Sequence, residues 1–311
     1  MGCGSFVTAA APAIGPTFGG IMTQYFTWRY IFICVLPVIV LASFIGYFCM
    51  SEQIINKHEK FDLLSFIAVA LAFVSLIMWF SNLNQIVDDL VFVLGCFIIG
   101  IISLYYFTKR QLHIKNSLIR IEIFNHKGFT FHTLAIMFLQ MTTLGYGLLL
   151  PTFVQIVLKQ PATDAGVVLL PGAIVGAVFA PIGGLILDRL GAKKPIILGL
   201  CGSFIATFCF LFFFENLTYQ SCILFYFIYS LGIGLIVGNT MTSAMSYLPK
   251  NLQADGNATL QTLMQLSGGI GTSITATILA FVQQETNLYD GTNRGALFVL
   301  IFLMFNINIV I

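Results

Sequence analysis

Ten long stretches of this chain contain no Asp, Glu, Lys or Arg: Ser5–Met22, Tyr30–Met50, Leu63–Phe80, Leu90–Phe107, Phe129–Leu150, Gly166–Leu187, Pro195–Phe214, Cys222–Tyr247, Ala258–Val282 and Gly295–Ile311. A hydrocarbon core about 30 Å thick needs about 20 helical residues to cross it. The runs are continuous rather than alternating and are too long for barrel strands of about ten residues. With charged residues at 8 %, against roughly 25 % in a soluble domain, lipid must solvate the chain. The expected fold is an all-α integral membrane protein of about ten transmembrane helices.

Charge in the connections orients the spans. If successive helices cross alternately, one set of connections holds Lys57, Lys60, Lys109, Arg110, Lys115, Arg120, Lys127, Arg189, Lys193, Lys194 and Lys250. The other holds only Arg29, Lys159 and Arg294. Cytoplasmic loops carry the Lys/Arg excess, so the first set, and the N-terminus with it, is expected in the cytoplasm. The largest of these connections contains HIKNSLIRIEIFNHKG. Ile114, Leu118 and Ile121 suit one face of an amphipathic helix, while Ile119, Ile121 and Ile123 suit a strand equally well.

All twelve acidic residues lie at span ends or in connections, so no carboxylate sits mid-membrane where a coupled proton would bind. The uncharged polar residues are more suggestive. Asn257, Gln261 and Gln265 recur every four residues and share a helix face. Gln140 and Asn239 lie mid-span in two other helices. Two readings stay open for these amides: interhelical packing or the lining of a central cavity. Small residues also recur every four positions, at Ala11, Gly15 and Gly19 and at Gly172, Gly176, Ala180 and Gly184. Close packing within the chain is expected there. The seven cysteines and four histidines are scattered, without disulfide, metal or HExxH spacing. A net charge of +2 without a basic patch excludes a nucleic-acid partner.

The stretch GLILDRLGAKK, Gly184 to Lys194, ends a span with a small residue and puts Asp188 and Arg189 at the membrane surface. Gly191 allows a tight turn, and Lys193 and Lys194 hold the connection inside. Asp188 suits a helix N-terminus, whose free N–H groups and dipole favour a carboxylate.

This motif resembles the signature cytoplasmic loop of the major facilitator superfamily. GPTFGG, Gly15 to Gly20, is similar to the antiporter motif on the fifth helix of its drug:proton exporters, and TWRYIF follows it as it does there. FDLLSF, LLPTFVQIVL, AGVVLLPGAIVGAVFAPIGGLILDRLG and DGNATLQTLMQLSGGIGTS resemble the fourteen-helix drug:proton antiporter branch, of multidrug and lincomycin-resistance type. The resemblance implies three parts. Residues 1–50 would be the last two helices of the N-terminal bundle, 51–128 two extra helices with a cytoplasmic connection, and 129–311 a six-helix C-terminal bundle. It implies a chain that starts at the fifth helix, without the helices that carry the family's proton-coupling residues.

The implied protein is a bacterial plasma-membrane exporter of amphipathic, often cationic compounds. It would use the proton gradient, need no cofactor, be monomeric when full length and not be an enzyme. Gly15, Pro16, Gly19 and Gly20 would shape the seam between bundles. Asp188, Arg189 and Lys193 would latch the cytoplasmic side. Gln140, Asn239, Asn257, Gln261 and Gln265 would line the cavity. The alternative is an inactive truncated fragment, with the Gly15–Gly20 seam open to lipid and no transport of its own.

Overall fold

A computed structural model describes residues 15–49, 62–85, 89–114, 119–285 and 288–310. The described residues form helices α1 (15–25), α2 (Arg29–Cys49), α3 (Leu63–Ser81), α4 (Leu90–His113), α5 (Lys127–Ile156), α6 (Ala162–Val167), α7 (Leu170–Leu190), α8 (Lys193–Phe212), α9 (Tyr219–Ser246), α10 (Gln253–Glu285) and α11 (Leu288–Val310). Among the described residues there are nine candidate membrane spans, with α6 and α7 counted as one. The expected first span, Ser5–Met22, lies outside the described residues over positions 5–14, which include Ala11.

The ends are set by local chemistry. Asp62 caps α3 through the backbone N–H of Ser65, and Asp89 caps α4 through that of Phe92. Thr218 and Ser221 cap α9 reciprocally. At the far end of α7, Gly191 takes φ 78° and ψ 167° and its N–H closes on Leu187 O. Only glycine adopts that backbone conformation readily.

The seven helices from α5 onward, six spans with α6 and α7 counted as one, form the core. α5 lies between α10 and α11 on one side and α9 on the other, while α9 also packs against α7 and α8. Small residues let the backbones meet. Gly234 on α9 faces Gly176 O, Gly232 faces Gly199 O, and Gly271 on α10 faces Met141 O. The stripe expected at Gly172, Gly176, Ala180 and Gly184 therefore packs inside the chain, but its last member is displaced. Gly183 meets Leu235 and Asn239, whereas Gly184 has open space beside it. Over more than three turns the 3.6-residue period carries the contact off a strict four-residue row.

At the centre are two fully buried tyrosines. Tyr146 on α5 lies 4.7 Å, ring centroid to centroid, from Tyr229 on α9. Tyr146 donates to Thr207 Oγ1 at 3.0 Å, and the Tyr229 hydroxyl pairs with Thr143 Oγ1 at 3.0 Å. Each phenol so placed meets its hydrogen-bonding need where water is absent.

α3 and α4 form a hairpin. Ala68, Ala72 and Ser75 of one pack near Gly100, Ser103 and Phe107 of the other, all buried or nearly so. The connection from α4 to α5 differs from both sequence expectations over its described part. Ile121–Asn125 is a short 3-10 helix, with Ile123 taken into a buried cluster with Phe129 and Leu252. Arg120 pairs with Asp255 at 3.1 Å. This anchoring at two points replaces a free amphipathic surface. Leu118 and Lys115 lie outside the described residues.

Candidate functional site: a polar face and its flanking contacts

α10 has 33 residues. At 1.5 Å per residue it is about 50 Å long, well over the membrane core, so Gln265, the thirteenth, lies near mid-depth. Asn257, Gln261 and Gln265 are all exposed, and none has a hydrogen-bond partner among the described residues. An amide cannot rest against lipid unpaired without a cost of several kcal/mol. Beside them Gly268 faces α5, where a Cβ would meet Leu144 at 2.4 Å and Gln140 Cγ at 3.5 Å. Gln140 thus lies against Gly268, about one turn from Gln265, and is half-buried. Asn239 lies elsewhere. It is 2 % exposed, donates to Leu235 O of its own helix at 2.7 Å and packs on Gly183 of α7.

Asp188 and Arg189 lie in the last turn of α7, and Lys193 and Lys194 in the first turn of α8; all four are exposed. Gly191 turns the chain between them with its positive φ, as the spacing predicts.

The GPTFGG stretch lies on α1 and meets α6. A Cβ on Gly20 would fall 2.6 Å from Ala162 O, and one on Gly166 2.5 Å from Pro16 O. Thr17 donates to Gly166 O at 3.2 Å. Pro16, Thr17 and Gly20 pack on α6 here, while Gly15 and Gly19 have nothing within 4 Å of an added Cβ. One helical step on, Gln24 Oε1 accepts from the Thr163 backbone N–H at 2.8 Å and from its hydroxyl. Sequence reasoning missed Gln24, although Pro16, Gly20 and Gln24 continue one four-residue row.

A polar network also escaped the sequence. Arg110 grips Asp62 with two bonds of 3.0 Å, Ser65 donates to the same carboxylate, Gln111 donates to Ser65 at 2.7 Å, and the Ile119 N–H donates to Gln111 at 3.2 Å. Arg110, then Ser65, hold the Asp62 carboxyl well below the usual carboxylate range. An arginine near a span end could have signalled this pair, but only the fold shows which carboxylate it meets.

Apolar helices crossed by a mid-depth polar face define a multi-pass helical membrane protein. The chain belongs to the Major Facilitator Superfamily, a family of transporters, whose sequence profile matches residues 1–272. It is similar to lincomycin resistance protein LmrB of Listeria monocytogenes, 30 % identical over 95 % of this chain and 62 % of that protein. It is 32 % identical to LmrB of Bacillus subtilis over 92 % of this chain and 60 % of that protein. It is 23 % identical to the putative multidrug resistance protein MdtD of Klebsiella pneumoniae, over 97 % of this chain and 65 % of that protein. The chain therefore spans less than two thirds of the length of these curated relatives. Among solved structures, a bacterial homologue of the human lysosomal transporter Spinster, inward-facing and occupied, shares the fold. Its TM-score is 0.51 at 13 % identity, covering 78 % of this chain and 65 % of that one.

Proposed function

We propose that this chain serves the export of amphipathic, often cationic small molecules across a bacterial plasma membrane. The observation that carries the reading is the exposed amide row Gln261–Gln265 near mid-depth on α10, bordered by Gln140. Such a row suits a wet cavity in which a drug-like molecule finds a few hydrogen bonds within apolar walls. Relatives named for lincomycin and multidrug resistance favour this cargo.

The Lys/Arg bias supports placing the Asp188–Lys194 end in the cytoplasm. There Asp188, Arg189 and Lys193 would act as a latch that forms in one state and opens in another as two bundles rock. Proton coupling enters from the family resemblance, since every described carboxylate lies at a helix end or in a connection.

Ethidium export from cells expressing the protein tests the reading. We expect export that collapses with a protonophore, falls by about tenfold in Gln265→Leu and falls in Asp188→Asn. Export unchanged in Gln265→Leu contradicts the cavity role, and unchanged export in Asp188→Asn contradicts the latch. No export at all favours the inactive reading.

A further inference from the structure

His132 lies in the second turn of α5, within the charge-free run Phe129–Leu150. It alone of the four histidines falls inside such a run. The ring is half-buried and joins two helices. Nδ1 lies 2.7 Å from Gly128 O of its own helix, and Nε2 lies 3.0 Å from the Ser243 hydroxyl of α9. A carbonyl oxygen only accepts, so Nδ1 carries a hydrogen. In the neutral ring Nε2 is then bare and accepts from Ser243. A proton added at Nε2 is donated to the same oxygen, and the serine turns its own hydrogen elsewhere. A hydroxyl both donates and accepts, so either charge state keeps the bond between α5 and α9 without moving a heavy atom.

The surroundings also tolerate the charged ring. Ser243 belongs to the last turn of α9, where the helix dipole favours a cation. The Tyr247 ring lies 5.3 Å from the imidazole, centroid to centroid, and gives a cation an aromatic neighbour. α9 brings no other titratable group to this end. Lys127 at the start of α5, Glu122 in the connection before it and Lys250 before α10 are all exposed, and His126 is the cap residue of α5. Asp255 of α10 is taken by Arg120. The charged residues of α11, Asp290 and Arg294, lie in its first turns at the opposite end. Among the described residues no carboxylate pairs with His132, so no fixed counter-charge holds the ring in one state.

We propose that His132 Nε2 is a proton-binding site that exchanges its proton for a cationic cargo. Histidine is the side chain whose ordinary titration spans neutrality. His132 stands about two turns, or about 12 Å along the axis of α5, from Gln140. Between low-dielectric helix walls, two positive charges at that range repel. An arriving cation therefore breaks the Nε2–H bond and sends the proton to water at the end of the bundle where α5 begins. A returning proton expels the cation. One positive charge occupies the region in each state, which is the condition for exchange. This inference rests on the proposed export function and assigns it a proton carrier.

The test follows proton release when ethidium is added to the purified full chain in nanodiscs, in weakly buffered solution with a pH-indicating dye. The parent is expected to release about one proton per ethidium bound. His113→Gln, at the exposed end of α4, should release the same. His132→Gln, which keeps an uncharged hydrogen-bonding side chain, should bind ethidium and lose the release. Full release from His132→Gln, or ethidium binding to the parent with no release, overturns the proposal. If the parent binds no ethidium, the export reading falls, and nitrogen NMR of the histidine rings decides the proton site by itself. The signal lost in His132→Gln should show a hydrogen on Nδ1 alone in alkali and on both nitrogens in acid. A ring protonated on Nε2 in alkali, or still neutral in acid, excludes the site.

Discussion

Gln24 and Thr163 lie 139 positions apart in the sequence, yet the Gln24 side-chain oxygen accepts the Thr163 backbone N–H at 2.8 Å. With the approach of Gly20 to Gly166 it joins α1 to the start of the α6–α7 span, at the end of the bundle opposite Asp188. A transporter whose halves rock must part this contact when that end opens. Gln24→Cys combined with Thr163→Cys is therefore expected to form a disulfide under mild oxidation and to arrest ethidium export, with reductant restoring it. Efficient cross-linking that leaves export untouched would show that the contact is never broken.

The two glycines Gly166 and Gly184 make opposite predictions on one span. A methyl group at Gly166 would fall 2.5 Å from a backbone oxygen of α1, which cannot move aside as a side chain can. Gly166→Ala should cost about 1–3 kcal/mol through overpacking, read as a lower melting temperature in detergent. Gly184→Ala meets nothing within 4 Å and should be neutral or slightly stabilising, because alanine is the better helix former. Equal effects at both sites would contradict the packing described for α1.

Asp62 makes the pH prediction. In the folded chain Arg110 and Ser65 hold its carboxyl well below the usual carboxylate range, so the fold favours the ionised form. Its contribution is complete above the ordinary carboxylate pKa and is lost only as pH falls through the lowered folded value. Asp62→Asn should therefore melt below the parent by the same margin at pH 7.5 and at pH 5.5. A margin that closes already at pH 5.5 would show that Arg110 does not hold the carboxylate.

These contacts mark the limit of what the chain's order reveals. Charge-free runs and the Asp188–Gly191 turn are one-dimensional signals, because crossing a membrane and reversing direction each impose a local composition. Neighbours are not so recorded. α5 and α9 show no single apolar face, so periodicity does not say which side of Tyr146 or Tyr229 turns inward, or that Asn239 packs on Gly183 while Gln265 stays open. The Gly183 contact in place of Gly184 follows from helix twist and crossing angle, which depend on both partners. The partners of Gln24 and Arg110 were unreadable for the same reason: Thr163 and Asp62 are each supplied by a different helix or cap.

The central claim is that α10 presents Gln265 to a wet, substrate-sized space at mid-depth in the membrane. Its most direct test is the reaction of a membrane-impermeant maleimide with Gln265→Cys, in a chain whose seven native cysteines are replaced by serine or alanine. The account predicts ready modification at this position, slowed by ethidium, with Ile99→Cys on the lipid-facing side of α4 unreactive. A thiol at position 265 as inert as the one at position 99 would contradict it.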